Sequence, residues 1–215
     1  MNYSFRKKNK TVKYIIIHYT GMKNLKSAYS KLTNVSSDVS CHYLVSRSGI
    51  IFNLLCPNLK AWHAGKSEWK GITNLNNFSI GIELENQGHQ YGYKNFTNFQ
   101  YQSLKKLIFF LKRNFLINDQ NILFHSDISP NRKNDPGEKF YMDKIGIERF
   151  KKKNFIKNKL SIQNLLKVYG FSNKYIRNYK SECIIAVKRT LNYKTINNKI
   201  TGKFISDFYN LLFHK

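Results

Sequence analysis

Two periods of apolar residues run through this chain, one suited to strands and one to helices. Residues 12–18 form a short continuous apolar run rich in β-branched side chains, which predicts a strand buried on both faces. Residues 25–32 read as a short helix. Segments 41–46 and 50–55 flank Arg47-Ser48-Gly49, the pattern of a hairpin in which Gly49 supplies a positive φ. Residues 78–84 are a second buried strand, and Ile122, Leu123 and Phe124 a third. Between them, Thr97 and Gln100 make a capping box that opens a helix running to about Phe115. Its apolar stripe of Tyr101, Leu104, Leu107, Ile108, Leu111 and Phe115 follows helical spacing. The order strand, helix, hairpin, strand, helix, strand predicts an α/β fold, a mixed central β-sheet flanked by helices.

After about Phe150 the pattern changes. Residues 151–154 read as a solvated linker, and three helical patterns follow: 161–169 with Gly170 as its stop, 181–191, and 201–213. The chain therefore divides into a domain over 1–150 and a small helical domain over 151–215, the second too small to be stable without docking on the first.

Composition changes this picture only at the surface. An apolar content of 41% and an aromatic content of 15% over 215 residues support a packed core and exclude wholesale disorder. A formal charge of +25 suggests a polyanionic partner. However, Lys far outnumbers Arg, and Lys and Asn are spread along the whole chain, as codon drift would leave them on tolerant surface positions. No basic recognition motif or stacking platform accompanies the charge, so nucleic acid is not the expected partner. Three cysteines without a CxxC pair argue against a disulfide framework. No apolar leader and no run long enough to span a membrane is visible, which makes the cytoplasm the default compartment; a monomer is the expected state.

The chemistry concentrates on residues 125–137. His125 and Asp135 are two candidate metal ligands on one Pro- and Gly-punctuated loop, and His18 ends the first apolar run. Three ligands of mixed imidazole and carboxylate type, with a fourth position open, suit a catalytic zinc ion. Glu83 lies inside an apolar strand, where a carboxylate is costly unless paired or functional, and partial burial would raise its pKa toward that of a general base. A surface-facing Glu83 fits the pattern equally well, and Glu85 competes on the same face. Lys133 reads by composition as one solvated Lys among many; its place on the ligand loop makes it a candidate oxyanion stabiliser. His42 and the Trp62-His63 pair could line a cleft, donate to substrate or support a metal ligand from behind, with Trp62 divided between core and cleft.

Five blocks carry a resemblance: His18-Tyr19-Thr20, Ser40-Cys41-His42-Tyr43-Leu44-Val45, Ala61-Trp62-His63-Ala64-Gly65-Lys66-Ser67, Ser79-Ile80-Gly81-Ile82-Glu83-Leu84-Glu85-Asn86, and residues 125–137. In this order they resemble the type-2 N-acetylmuramoyl-L-alanine amidases, relatives of T7-type lysozyme amidases and animal peptidoglycan-recognition proteins. The nearest branch is AmiD-like, and residues 184–204 resemble weakly its small peptidoglycan-binding domain. The resemblance implies one Zn2+ per chain on His18, His125 and Asp135, with Glu83 rather than Glu85 as catalytic carboxylate and Lys133 assisting at the transition state. It places His42, Trp62, His63 and Asn86 in blocks that bind substrate. The implied reaction is hydrolysis of the amide between N-acetylmuramic acid, or its 1,6-anhydro form, and L-alanine of peptidoglycan stem peptides, in cell-wall turnover or recycling. Muropeptides are the implied partners, and the AmiD-like branch implies the periplasm instead of the cytoplasm. The rival reading is a non-catalytic peptidoglycan-recognition module.

Overall fold

The computed structural model describes residues 2–6, 11–150 and 160–213, so the expected linker at 151–154 lies outside the described residues. In chain order the strands and helices are β1 (Tyr3–Phe5), β2 (Tyr14–Tyr19), α1 (Leu25–Thr33), β3 (Tyr43–Val45), β4 (Ile51–Asn53), β5 (Leu59–Ala61), β6 (Glu68–Trp69), β7 (Ile72–Thr73) and β8 (Ser79–Leu84). There follow α2 (Asn98–Phe115), β9 (Ile122–Phe124), α3 (His125–Ile128), α4 (Ile162–Tyr169), α5 (Asn173–Asn178), α6 (Lys180–Thr190) and α7 (Gly202–Leu212). Five strands form the central sheet in the order β4-β3-β8-β2-β9. β3, β8, β2 and β9 run parallel, and β4 closes one edge antiparallel to β3. This is the mixed sheet the sequence predicts, with Gly49 at φ 87° in the β3–β4 turn.

Side-chain alternation along the parallel strands splits the interior into two cores. Ile15 and Ile17 of β2, Ile80, Ile82 and Leu84 of β8, and Ile122 and Phe124 of β9 face one side. There they meet Tyr101, Leu104, Ile108 and Leu111 of α2, the stripe read from its spacing. Both halves of the predicted capping box form at its start, through Thr97 and Gln100. Tyr14, Ile16 and Leu123 face the other side and pack with Leu165, Leu166, Tyr169, Phe204, Phe208 and Leu212 of α4 and α7. The C-terminal helices thus cover the second face of the sheet and share one continuous core with it. At 25 cal/mol per Å2, large side chains fully enclosed there each contribute roughly 1.5–3 kcal/mol.

Several local features depart from the sequence pattern, among them two small antiparallel sheets, β1-β5 and β6-β7, whose strands of two or three residues are too short to show alternation. α5 was not anticipated, because a six-residue helix that buries only Ile176 leaves no periodic signal. Residues 125–137 begin with one helical turn, α3, instead of a loop; the Asp127 carboxylate accepts the Phe124 N–H at 2.7 Å and holds the turn's start. Gly170 ends α4 as expected, and a Cβ there would lie 2.5 Å from the Trp69 indole. The cysteines Cys41, Cys56 and Cys183 are free. No described helix is long and apolar enough to cross a membrane.

Candidate metal centre and cleft

The alternation that buries Ile17 under α2 turns His18 to the opposite face of β2, at its carboxyl end. Its register partner on β8 is Glu83, which likewise faces away from Ile82 and Leu84. On the other flank β9 ends at Phe124, level with Ile17, so His125 emerges beside His18. Parallel strands thereby deliver three chemically active side chains to one carboxyl-end crevice, the usual site position in open α/β sheets. The chain then turns through α3 and returns, with the Ser126 N–H donating to the Asp135 carbonyl at 3.0 Å, which sets Asp135 against both imidazoles.

Three donor atoms converge: His18 Nδ1 and His125 Nδ1 lie 2.9 Å apart, and Asp135 Oδ2 is 2.9 Å from the first and 3.0 Å from the second. All three residues are buried. The edge of a tetrahedron with zinc bonds of about 2.0–2.1 Å is about 3.3 Å, close to these spacings. Protonation also fits. Burial and the neighbouring His125 lower the His18 pKa to about 4, so its imidazole is neutral at pH 7. Burial by itself would raise the Asp135 pKa, but the two imidazoles against it, His125 and His18, outweigh burial and hold the carboxyl well below its ordinary range. His125 Nε2 lies 3.2 Å from the Ala64 carbonyl, which can only accept. That nitrogen therefore carries a hydrogen, which leaves Nδ1 as the ring atom turned to the centre. Two imidazole nitrogens and a carboxylate oxygen turned to one point are a donor set that suits a zinc ion.

A cavity of about 410 Å3 opens over these donors, and His18, His63, Glu83, His125, Lys133 and Asp135 are among its lining. Glu83 is half-buried, yet its Oε2 is shielded and has no hydrogen-bond partner. Burial chiefly, and then the Asp135 charge, push its pKa well above the ordinary carboxylate range, while Lys133 pulls in the opposite direction. Glu85, the sequence competitor, accepts the Arg47 N–H at 2.7 Å and braces the β3–β4 turn.

The remaining candidates divide. His63 lines the cavity. His42 is wholly buried and spent on backbone: its Nε2 donates to the Leu59 carbonyl at 3.0 Å and its Nδ1 accepts the Gly81 N–H at 3.0 Å. Trp62 donates its indole N–H to Ser4 Oγ at 3.2 Å, and Asn86 is a buried brace that donates to the Lys94 carbonyl and accepts the Gly88 N–H. Neither these two nor His42 is among the cavity-lining residues. Sequence reasoning passed over Arg132 and His89, which do line it. Arg132 donates to the Lys66 carbonyl at 2.6 Å, and His89 joins Tyr19 at 2.9 Å to Glu138 at 3.1 Å along the rim. Arg132 stands inside the recognised 125–137 block, but nothing in its spacing distinguished it from the other basic residues. A further missed group lies behind α3. Arg149 is buried against Asp127 at 2.6 Å, and the Tyr169 hydroxyl of α4 also donates to Asp127, two residues from His125.

Comparison with known proteins agrees with this geometry. The family profile described as N-acetylmuramoyl-L-alanine amidase matches residues 8–138. The N-acetylmuramoyl-L-alanine amidase AmiD of Escherichia coli is 40% identical over 141 residues, covering 60% of this chain and 50% of the relative. The 1,6-anhydro-N-acetylmuramyl-L-alanine amidase AmpD of Haemophilus influenzae is 43% identical over 103 residues, 47% of this chain and 54% of that protein. The chain thus spans about half the length of the curated relatives it matches. The solved structure of E. coli AmiD with its substrate anhydro-N-acetylmuramic acid-L-Ala-D-gamma-Glu-L-Lys superposes with a TM-score of 0.77 at 27% identity, over 95% of this chain and 91% of that one. With fold, profile and relatives in agreement, this chain belongs to the N-acetylmuramoyl-L-alanine amidase family, Amidase_2.

Proposed function

We propose that this protein hydrolyses the amide between N-acetylmuramic acid, intact or in its 1,6-anhydro form, and the L-alanine of peptidoglycan stem peptides, using one zinc ion held by His18, His125 and Asp135. The observation that carries this reading is the convergence of three lone-pair donors at 2.9–3.0 Å beside a shielded, unpartnered carboxyl, Glu83, in one cavity. When bound, zinc supplies Lewis acidity, which activates water and polarises the amide carbonyl.

The chain's own residues supply the rest. Glu83 takes the proton of the attacking water and passes it to the leaving amine of L-alanine, a task suited to a carboxylate whose pKa burial has raised well above its ordinary range. Lys133, on the same cavity wall, places an ammonium where negative charge grows on the carbonyl oxygen. Burial of the site keeps these charges poorly screened and so more effective. About 410 Å3 accommodates a sugar with the start of its peptide, the size of group that must be held at the scissile amide. Within this reading residues 1–150 are the catalytic domain and 151–215 a helical domain closing the second sheet face. The names of AmiD and AmpD support the substrate class.

Incubation with a defined anhydro-muramoyl tripeptide, followed by mass spectrometry, tests it. The expected products are anhydro-muramic acid and a peptide beginning with L-alanine; cleavage inside the peptide, or intact substrate bound tightly by zinc-free protein, contradicts it.

A further inference from the structure

His18 can offer Nδ1 to a metal only if its single hydrogen sits on Nε2, and the structure contains a chain of bonds that dictates this. Ser79 Oγ lies 2.6 Å from the Leu75 carbonyl oxygen, which cannot donate, so the hydroxyl hydrogen is committed there. The same Oγ lies 3.2 Å from His63 Nε2 and, with its hydrogen spent, can only accept. His63 Nε2 therefore carries a hydrogen. The ring of His63 is buried and its bonds are to Ser79 and His18 alone, so an imidazole with a single hydrogen spends it on Ser79. Its Nδ1 is then bare, and it accepts from His18 Nε2 at 2.9 Å. The hydrogen of His18 is thereby fixed on Nε2, leaving Nδ1 bare toward His125 and Asp135.

The fold secures this chain at both ends. Asn76 Oδ1 accepts the N–H groups of His63 at 3.1 Å and Ala64 at 2.8 Å, which fixes the backbone that carries the ring. Below the ring lies Gly81, where a Cβ would come within 2.4 Å of His63 Cγ, so the absent side chain is the seat of the imidazole. A Gly in the middle of a buried parallel strand weakens the strand and needs a reason of this kind.

We propose that Ser79 and His63 are positioning residues that lock His18 in the Nε2–H tautomer, making Nδ1 a ready metal ligand, with Gly81 as the seat of the His63 ring. The inference rests on the zinc reading above. Two measurements test it, neither of them turnover. Long-range 1H–15N correlation spectra of the metal-free protein should show His18 and His63 both as Nε2–H tautomers. Zinc affinity by chelator competition should fall about 10–100-fold in His63→Ala, the usual effect of losing such a partner. Ser79→Ala should lose several-fold, and His63→Gln, whose amide can donate to Ser79 and accept from His18, should recover most of the affinity.

An Nδ1–H tautomer at His18 overturns the proposal, as does unchanged zinc affinity in a folded His63→Ala protein. If that variant does not fold, the wild-type spectrum and Ser79→Ala still decide. A protein that binds zinc through an Nε2–H His18 yet leaves muropeptides intact would uphold this inference and overturn the proposed reaction, so the two fail separately.

Discussion

Gly81→Ala is the smallest change that should damage the metal site without touching a ligand. Gly81 is not in a positive-φ conformation, so alanine fits the backbone and any cost is steric. The new Cβ would sit 2.4 Å from His63 Cγ and 2.7 Å from Nδ1 and Cδ2, where contacts under 3.0 Å are essentially never seen. β8 cannot retreat, because Gly81 is bonded on both backbone groups to His42, whose N–H donates to its carbonyl at 3.1 Å and whose Nδ1 accepts its N–H at 3.0 Å. The ring must therefore move by about 0.6 Å or more, enough to stretch its 2.9 Å bond with His18 to the limit of a hydrogen bond. Overpacking of this kind costs about 1–3 kcal/mol of stability. In a chain of this size each kcal/mol lowers the Tm by about 2–4 °C. Calorimetry should show that loss, and chelator competition a drop in zinc affinity of about tenfold or more. Adding His63→Ala to Gly81→Ala should relieve the clash, with a coupling energy of about 0.5–3 kcal/mol, without restoring zinc affinity. A Gly81→Ala protein with wild-type Tm and wild-type zinc affinity would refute this packing argument.

Three further substitutions probe other parts of the site. Glu83→Gln should keep zinc while turnover falls by about 10²–10⁴-fold, as expected for loss of a general base; steady-state rates beside metal analysis check it. In the wild type the raised Glu83 pKa should put the acidic limb of kcat/KM above the ordinary carboxylate value of about 4.3, with activity lost as pH falls through it. The same shift has a stability sign: a carboxyl with a raised folded pKa favours the fold at low pH, and that contribution is lost as pH rises through the folded value. Metal-free Glu83→Gln should consequently melt above metal-free wild type at neutral pH, with the gap closing near pH 4. Asp135→Ala should bind zinc far more weakly than wild type in the same competition assay, since it removes one of three donors. Tyr169→Phe deletes a hydrogen bond to the Asp127 carboxylate, a bond type that contributes about 1.5–3 kcal/mol, together with the hydroxyl's contact to Thr190 Oγ1. Because Arg149 and the Phe124 N–H remain on Asp127, urea unfolding should show a loss near the lower figure.

What could be read from the sequence was whatever depends on neighbours along the chain. β2 and β8 show as apolar runs because both faces of a central parallel strand are buried, and α2 shows through its stripe and Thr97 cap. The donor triad was nameable from residue type and strand ends, but its convergence was not, because His18 lies 107 residues from His125 and only sheet register brings them level. Which of several roles His42 and His63 each take could not be chosen for the same reason. Both are imidazoles in recognised blocks; one is consumed by backbone groups of β8 and the β5 edge, the other reaches His18 through a gap that Gly81 leaves. Nothing in the spacing of Gly81, Ser79 and His63 announces that gap. The second core was legible only in part: the helical patterns were visible, but the Tyr169–Asp127–Arg149 group that ties α4 to the ligand turn joins residues with no local relation.

The central claim is that the three convergent donors hold the ion that drives amide cleavage. Titrating zinc into metal-depleted protein, while following release of the L-alanine-led peptide from anhydro-muramoyl tripeptide, tests it directly. Turnover should be absent at first, rise linearly and break at one zinc per chain. Full turnover by the metal-depleted protein, or none at saturating zinc, would contradict it.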